Sequence, residues 1–319
     1  MSQNTKIQWT NDTWNPIAGC SIASPGCSHC YAVRDAHRMS GNPNPSIAGK
    51  FAGLTATAKG TPVWTGELRL WQPALLKPFR WRKRRMAFAN SLSDIGHENL
   101  PDGDREAVWA VMALNPLHTF QTLTKRAARM KAWLSDPATP GRIEEIMRQY
   151  KPGAFLPDWP LRNVWVGVSV EDQKWADERI PLLLETPAAV RFISAEPLLG
   201  AVSLRQSIGL AGANAGNLKA AGLDWCIVGG ESGPRSRPMH PDWARSLRDE
   251  CRSGGTAFFF KQHGAWGDPI SGLKRKTIGL MLDGRCVEVG TPGSICRANV
   301  GKKRGGTLLD GVEHLEFPS

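Results

Sequence analysis

Asn163-Val164-Trp165-Val166-Gly167-Val168-Ser169, a helical stretch over 176–184, and Val190-Arg191-Phe192-Ile193-Ser194 form the passage that decides the fold. Both flanking runs are short and almost continuously apolar. Such runs suit strands buried on two faces, and their alternation with a helix predicts a parallel sheet covered by helices. The same rhythm extends outward in both directions. Upstream come strands at Met86-Ala87-Phe88-Ala89-Asn90 and Thr119-Phe120-Gln121-Thr122-Leu123-Thr124, with helices over 102–114 and 127–134. Residues 136–162 read as an insertion with a short helix over 143–150. Downstream come strands at Asp224-Trp225-Cys226-Ile227-Val228-Gly229-Gly230 and Ala257-Phe258-Phe259-Phe260, a helix over 241–251 between them, and a Gly/Ala-rich excursion over 200–222.

Adding Ile7-Gln8-Trp9-Thr10 and a short strand over 66–71 brings the count to as many as eight. The fold class predicted is therefore α/β, a complete or partial (β/α) TIM-like barrel. A doubly wound open sheet is the alternative, but no G-x-G-x-x-G follows a strand. Residues 41–63 are rich in Gly, Pro, Ala, Ser and Thr and read as a surface loop or lid. The barrel is expected over 1–266. From about Gly267 the pattern changes to a small basic extension, 267–319, with strand-like pieces over 278–282 and 287–289.

The chain has 319 residues, 41% of them hydrophobic, enough to bury a sizeable core. It has no apolar run of about 18 residues and no signal-like stretch in Met1-Ser2-Gln3-Asn4-Thr5-Lys6, so a cytoplasmic protein with no membrane partner is expected. The net charge of +11 is partly clustered, at Arg80-Trp81-Arg82-Lys83-Arg84-Arg85, Lys274-Arg275-Lys276 and Lys302-Lys303-Arg304. Such clusters match a phosphate-binding footprint, although an ordinary solvated basic face has the same composition. Arg82, Lys83, Arg84, Arg85, Lys302, Lys303 and Arg304 are the candidate nucleic-acid contacts. Thirteen tryptophans stand beside two tyrosines. Some have the surface to stack on bases, and the majority read as core.

Three of the seven cysteines lie in Cys20-Ser21-Ile22-Ala23-Ser24-Pro25-Gly26-Cys27-Ser28-His29-Cys30-Tyr31, spaced C-x6-C-x2-C. Thiolates are soft metal ligands, and three on one short loop can converge on one centre, with Pro25 and Gly26 turning the backbone between them. Zinc needs four ligands, which His29 or His37 would complete. A [4Fe–4S] cluster usually takes four cysteines. Three with no fourth nearby leave one iron open. In this the loop resembles radical S-adenosylmethionine (SAM) enzymes, whose usual spacing is C-x3-C-x2-C. Here the second interval is kept and the first is longer. Three buried, metal-free thiols are the bland alternative.

In a (β/α) barrel the polar residues at the carboxyl ends of strands gather at one mouth. A charge there is often only a chain emerging into solvent, but nearly every strand in this chain ends on one. For SAM, the ammonium calls for a carboxylate, Glu196 or Glu231. The carboxylate calls for a cation, Lys125 or Lys261, and the hydroxyls call for small polar groups such as Asn90, Ser169 or Ser194. Ser91 and Glu171 complete the candidate cofactor-binding set. Gly229-Gly230-Glu231-Ser232-Gly233 reads as an anion nest or a tight turn. Cys226 reads as packing, and His240 as a neighbour of a helix cap. The chain has no Ser-His-Asp order, H-E-x-x-H or P-loop.

A set of motifs along nearly the whole chain adds a resemblance. These are Thr13-Trp14-Asn15-Pro16 before the cysteines, Asn90-Ser91-Leu92-Ser93-Asp94, Leu123-Thr124-Lys125-Arg126, Gly167-Val168-Ser169-Val170-Glu171, Ser194-Ala195-Glu196-Pro197-Leu198, Val228-Gly229-Gly230-Glu231-Ser232-Gly233, Phe259-Phe260-Lys261-Gln262, Gly301-Lys302-Lys303 and Leu308-Leu309-Asp310-Gly311. They resemble a phage-associated three-cysteine family of unknown function (gp thirty-seven/sixty-eight-like), itself similar to radical SAM enzymes. The resemblance implies a radical SAM-type barrel in which Cys20, Cys27 and Cys30 hold a [4Fe–4S] cluster that cleaves SAM with an electron from an external donor. Together with the basic clusters it points to a nucleic-acid substrate, for base modification or lesion repair. The alternative is a non-catalytic, zinc-stabilised nucleic-acid-binding phage protein.

Overall fold

The computed structural model describes residues 5–209 and 217–318. Met1–Asn4 and the centre of the Gly/Ala-rich excursion lie outside that range. The chain divides into two compact units, one of Met1–Val168 with Glu185–Val190, the other of Ser169–Leu184 with Arg191–Ser319. Both are mixed α/β. Among the described residues no helix is long and apolar enough to cross a membrane.

The first unit opens with two short strands, β1 (Asp12–Thr13) and β2 (Ile17–Ala18). Helices α1 (Tyr31–Ser40) and α2 (Pro45–Phe51), a hairpin of β3 (Thr55–Ala58) and β4 (Thr61–Trp64), and β5 (Arg69–Leu70) follow. The stretch expected as a loop or lid is thus built from a helix and a hairpin. Phe51 and Leu54 anchor it by packing with Ala18 and Ala36, against Met39, Trp64 and Leu92. Next come α3 (Gln72–Leu75), β6 (Met86–Ala89), α4 (Asp102–Ala113), β7 (Thr119–Thr124), α5 (Ala127–Ser135), α6 (Thr139–Tyr150) and β8 (Val164–Ser169).

Strands β1, β6, β7 and β8 pair in that order, all parallel. The first strand sits later than expected. Just before it, Thr10 Oγ1 and the Asn11 N–H both donate to the Met86 carbonyl, at 2.8 Å and 3.1 Å, and the Met86 N–H donates to Asn11 Oδ1 at 2.6 Å. Strand β5 pairs antiparallel with β2, so it adds nothing to the parallel set. Trp14 is fully buried, its indole N–H donating to the Ala74 carbonyl at 2.7 Å and its ring 5.2 Å from Phe120. Helix α4 is buried continuously from Arg105 to Met112 because α6 packs on it and Trp109 meets Trp133 edge-on at 4.8 Å. The buried Arg105 is met by the Ile95 carbonyl, by Asp102 and by the Trp133 face.

The second unit holds α7 (Gln173–Leu184), β9 (Val190–Ala195), α8 (Leu204–Ile208), β10 (Trp225–Gly229), α9 (Pro241–Gly254) and β11 (Ala257–Gln262). Its strands pair in parallel in the order β9, β10, β11. Among the described residues seven parallel strands therefore stand where up to eight were expected. The core is aromatic, with Trp225 lying 5.7 Å from Phe192 and 6.0 Å from Phe259, and the exposed Phe317 ring covers it at 5.0 Å. His240 is itself the cap of α9, its Nδ1 accepting from the Asp242 N–H at 3.2 Å. Strands β12 (Trp266–Gly267), β13 (Thr277–Leu280), β14 (Cys286–Val287) and β15 (Ile295–Asn299) make an antiparallel sheet, and α10 (Lys302–Gly305) follows. The tail then lies along β11. The Phe260 N–H donates to the His314 carbonyl at 2.9 Å, and the Trp225 indole donates to the Glu316 carbonyl at 2.8 Å. That pairing covers the otherwise open edge of β11.

The Gly229-Gly230-Glu231-Ser232-Gly233 stretch begins as strand and ends at a turn, where the Ser236 N–H donates to the Gly233 carbonyl at 3.3 Å. The Gly230 N–H donates to the Gln262 carbonyl at 2.9 Å, extending the ladder, and a Cβ on Gly230 would stand 2.2 Å from the His263 carbonyl oxygen. Gly141, in contrast, lies exposed in α6 with nothing near its missing Cβ. Gly230→Ala is expected to destabilise by about 2 kcal/mol or more, and Gly141→Ala to stabilise by about 0.5–1 kcal/mol. Urea unfolding midpoints check both. An unmoved midpoint for Gly230→Ala would refute the close-approach reading.

Candidate functional site

The cysteine loop belongs to the first unit and is held at several points. Gly19, just before Cys20, bridges Ser93 in parallel fashion. Its φ is +99°, and a Cβ there would meet the Glu67 carbonyl oxygen at 2.0 Å, so only glycine fits. Pro25–Cys27 forms a short 3-10 turn, and Cys30 is the N-cap of α1. Asn15 joins the loop's lead-in to the end of β6, its Oδ1 accepting from the Ser91 N–H at 2.6 Å and the Leu92 N–H at 3.1 Å. Tyr31, the residue after the third cysteine, donates from Oη to the Ser91 carbonyl at 3.2 Å.

A charged network lies beside the loop. Asp94 is buried and accepts four hydrogen bonds, from the Gly96 N–H at 2.8 Å, Thr124 Oγ1 at 2.5 Å, the Lys125 N–H at 2.9 Å and Arg126 Nη1 at 2.9 Å. The Arg126 side chain is 10% exposed and spreads its fork in three directions. Nη1 goes to Asp94, Nε to Glu98 Oε2 at 2.6 Å, and Nη2 to Ser21 Oγ at 2.7 Å. Burial works against its charge, but Asp94, Cys20 and Glu98 outweigh that and raise its pKa. Buried His97 lies 2.8 Å from Ser21 Oγ through Nε2, while its Nδ1 accepts from the Asn99 N–H at 3.0 Å. The second bond places the proton of the neutral ring on Nε2. Burial first, and then Arg126, lower the His97 pKa, which keeps the ring neutral.

All seven cysteines are free, and Cys20, Cys27 and Cys30 are half-buried. Burial pushes the Cys20 thiol up to about 12, with Asp94 adding to the rise, Arg126 opposing it, and Cys27 and Cys30 contributing. Burial also raises Cys30, against the Ala32 N–H and the Lys125 charge. The three sulfurs are therefore within electrostatic reach of one another. Among the described residues, no three His, Cys, Asp or Glu side chains stand gathered as a ready-made metal site. The donor set itself, three thiols beside two cations, fits a soft metal or an iron–sulfur cluster that binds thiolates. Asn90, at the end of β6, is 2% exposed, and neither its side-chain nitrogen nor its oxygen has a partner; Ser93 Oγ has none either. Unpartnered buried groups beside the loop fit a missing polar ligand.

The structure thus brings Cys20, Cys27, Cys30, Asn90, Ser91 and Lys125 into one region of the first unit. Ser169, Glu171, Ser194, Glu196, Glu231 and Lys261 belong to the second unit. There Lys261 Nζ pairs with Glu196 at 2.8 Å and 2.9 Å, so two residues expected at opposite ends of SAM meet each other. Glu171 is fully buried against Arg179 at 3.2 Å, and Glu231 takes a bidentate grip from Arg237, at 2.9 Å and 2.5 Å. Ser169 and Ser194 are buried, the Ser169 carbonyl accepting from Arg179 and the Ser194 carbonyl from the Val170 N–H.

Arg82, Lys83 and Arg84 are exposed in the first unit, whereas Arg85 is drawn to Asp12 at 2.5 Å and lies over the Trp81 ring. Lys302, Lys303 and Arg304 are exposed on α10. Seven of the thirteen tryptophans are buried and the other six are half-buried. Cys226 and Cys251 are buried against each other in the second unit, where hydrogen bonding to Cys226 and then burial raise Cys251 well above the usual thiol range.

Fold and site together define a mixed α/β protein of seven parallel strands with a three-thiol loop set against a buried Asp–Arg–Ser–His network. The chain belongs to the family described as "Protein of unknown function (DUF5131)", whose model matches residues 4–318. No curated protein and no solved structure matches the chain.

Sequence reasoning passed over Arg126, Ser21, His97 and Lys50. Lys50 lay in the stretch read as a loop. Its Nζ donates to the Asn15 carbonyl at 2.5 Å, behind the residue that holds Ser91 and Leu92. Burial first, and then Lys77, lower the Lys50 pKa to about 8. A lysine whose pKa falls on folding penalises the folded state while it is charged. That penalty fades as pH rises from about 8 to its ordinary 10.5. The stability of the wild-type chain relative to Lys50→Met is therefore expected to rise across this window. Paired denaturation curves at pH 7 to 10.5 measure it, and a flat difference would refute the assignment.

Proposed function

We propose that this chain is an iron–sulfur enzyme of the radical SAM type, framed by a partial (β/α) barrel and acting on nucleic acid. The observation that carries the reading is the three-cysteine loop held at Ser21 by Arg126, which is itself paired with the buried Asp94. Cys20, Cys27 and Cys30 would hold a [4Fe–4S] cluster, leaving one iron without a protein ligand. Bound and reduced by an external donor, the cluster would supply the electron that splits SAM into methionine and a 5′-deoxyadenosyl radical.

The chain's own part is to bind, orient and shield. Lys125 and Arg126 offset the negative charge of three thiolates. Asn90 offers a buried donor and a buried acceptor to a polar ligand, and Ser91 and Lys125 stand in the same region. The exposed cations at Arg82, Lys83 and Arg84, and at Lys302, Lys303 and Arg304, support a polyanionic substrate, as does the overall charge of +11. The resemblance to a phage-associated family supports base modification or lesion repair as the setting.

Anaerobic reconstitution with iron and sulfide tests this reading. The expected result is iron and sulfide uptake that is lost in Cys27→Ala, a visible absorbance bleached by dithionite, and formation of 5′-deoxyadenosine from SAM. Oligonucleotide binding should weaken steeply as salt is raised. Uptake of zinc without iron, with salt-sensitive nucleic-acid binding and no SAM cleavage, would replace it with a zinc-stabilised binding protein.

A further inference from the structure

We propose that Arg126 is the positioning residue of the three-thiol loop, its three-way fork fixing Ser21, and through it Cys20, while leaving a cation against the sulfur set. Two stretches meet on this guanidinium: the segment after β6, through Asp94 and Glu98, and the cysteine loop, through Ser21. A second bond, at 3.3 Å, runs from Nη2 to the Ser21 carbonyl, so both the side chain and the backbone of the residue after Cys20 are held. The fork is itself placed. The Arg126 N–H donates to Thr124 Oγ1 at 2.9 Å, and Thr124 Oγ1 donates to Asp94. His97 meets Ser21 Oγ from another side, so this hydroxyl has little freedom to turn.

Only arginine has this shape. Its donors leave a planar group in fixed directions, whereas a lysine ammonium is a single point charge on a flexible stem. Lysine at 126 keeps the charge and loses the geometry, and glutamine loses both. With the charge gone, Asp94 would bear on Cys20 without the opposing Arg126. Holding the loop needs no cluster. The electrostatic half of the inference rests on the cluster proposed above.

The test has two arms. In the metal-free chain, amide hydrogen exchange over residues 19–30 is expected to quicken about tenfold or more in both Arg126→Lys and Arg126→Gln, the effect of losing a hydrogen bond to a charged group. Ser21→Ala removes one hydroxyl and should give a smaller increase in the same peptides, which guards against a variant that fails to fold. In the iron-loaded chain, the cluster's midpoint potential, followed by electron paramagnetic resonance, should fall in Arg126→Gln and fall less in Arg126→Lys. Wild-type exchange rates over 19–30 in folded Arg126→Lys and Arg126→Gln would overturn the positioning role. An unchanged potential in Arg126→Gln would overturn the electrostatic one. A wild-type chain that takes up no iron sinks the cluster instead, and the exchange arm still decides whether Arg126 holds the loop.

Discussion

A carboxylate removed from water has to be met by donors, and Asp94 is met by four. Two of them are backbone N–H groups that fix the turn after β6 and the start of the segment after β7. The other two come from Thr124 and Arg126. This satisfied buried charge aligns the ends of two neighbouring strands and points the Arg126 fork at the cysteine loop. Without Asp94 the guanidinium would be a buried cation with only Glu98 opposite it, and the loop would lose its anchor.

Close backbone approach is the second constraint. Gly19 lets the chain pass against Glu67 just before Cys20, and Gly230 lets it pass against His263 at the end of β10. Each is a place where one carbon atom would force the backbone apart. In the second unit the tail closes the edge of β11, and the exposed Phe317 ring lies against Trp225. Residues that read as a basic appendage thus cover part of that unit's core.

The polar strand ends divide by what they already touch. Glu171, Glu231, Glu196 and Lys261 are taken up by ion pairs within the second unit. Asn90 has a donor and an acceptor with no partner. A group with unmet hydrogen bonds has more to gain from a ligand than one already paired, so the end of β6 is the stronger candidate for ligand contact. The same strand end is tied to the cysteine loop through Asn15 and Tyr31.

The strand–helix alternation, the three-cysteine loop and the polar strand ends were legible in the sequence because each is a local pattern: apolar periodicity, short spacing, a charge after an apolar run. Helix α6 and the hairpin of β3 and β4 were less legible, since Pro and Gly mark turns without saying how much structure lies between them. Partnerships between distant residues left no local trace. Nothing near Arg126 announces Ser21, 105 positions away, and nothing near Lys261 announces Glu196, 65 positions away. The sequence by itself determined which segments become strands and helices and which residues carry sulfur and charge. Only the tertiary structure decided which charges cancel, which amide is left wanting and which arginine holds the loop, because those outcomes depend on the few ångströms between side chains that folding alone brings together.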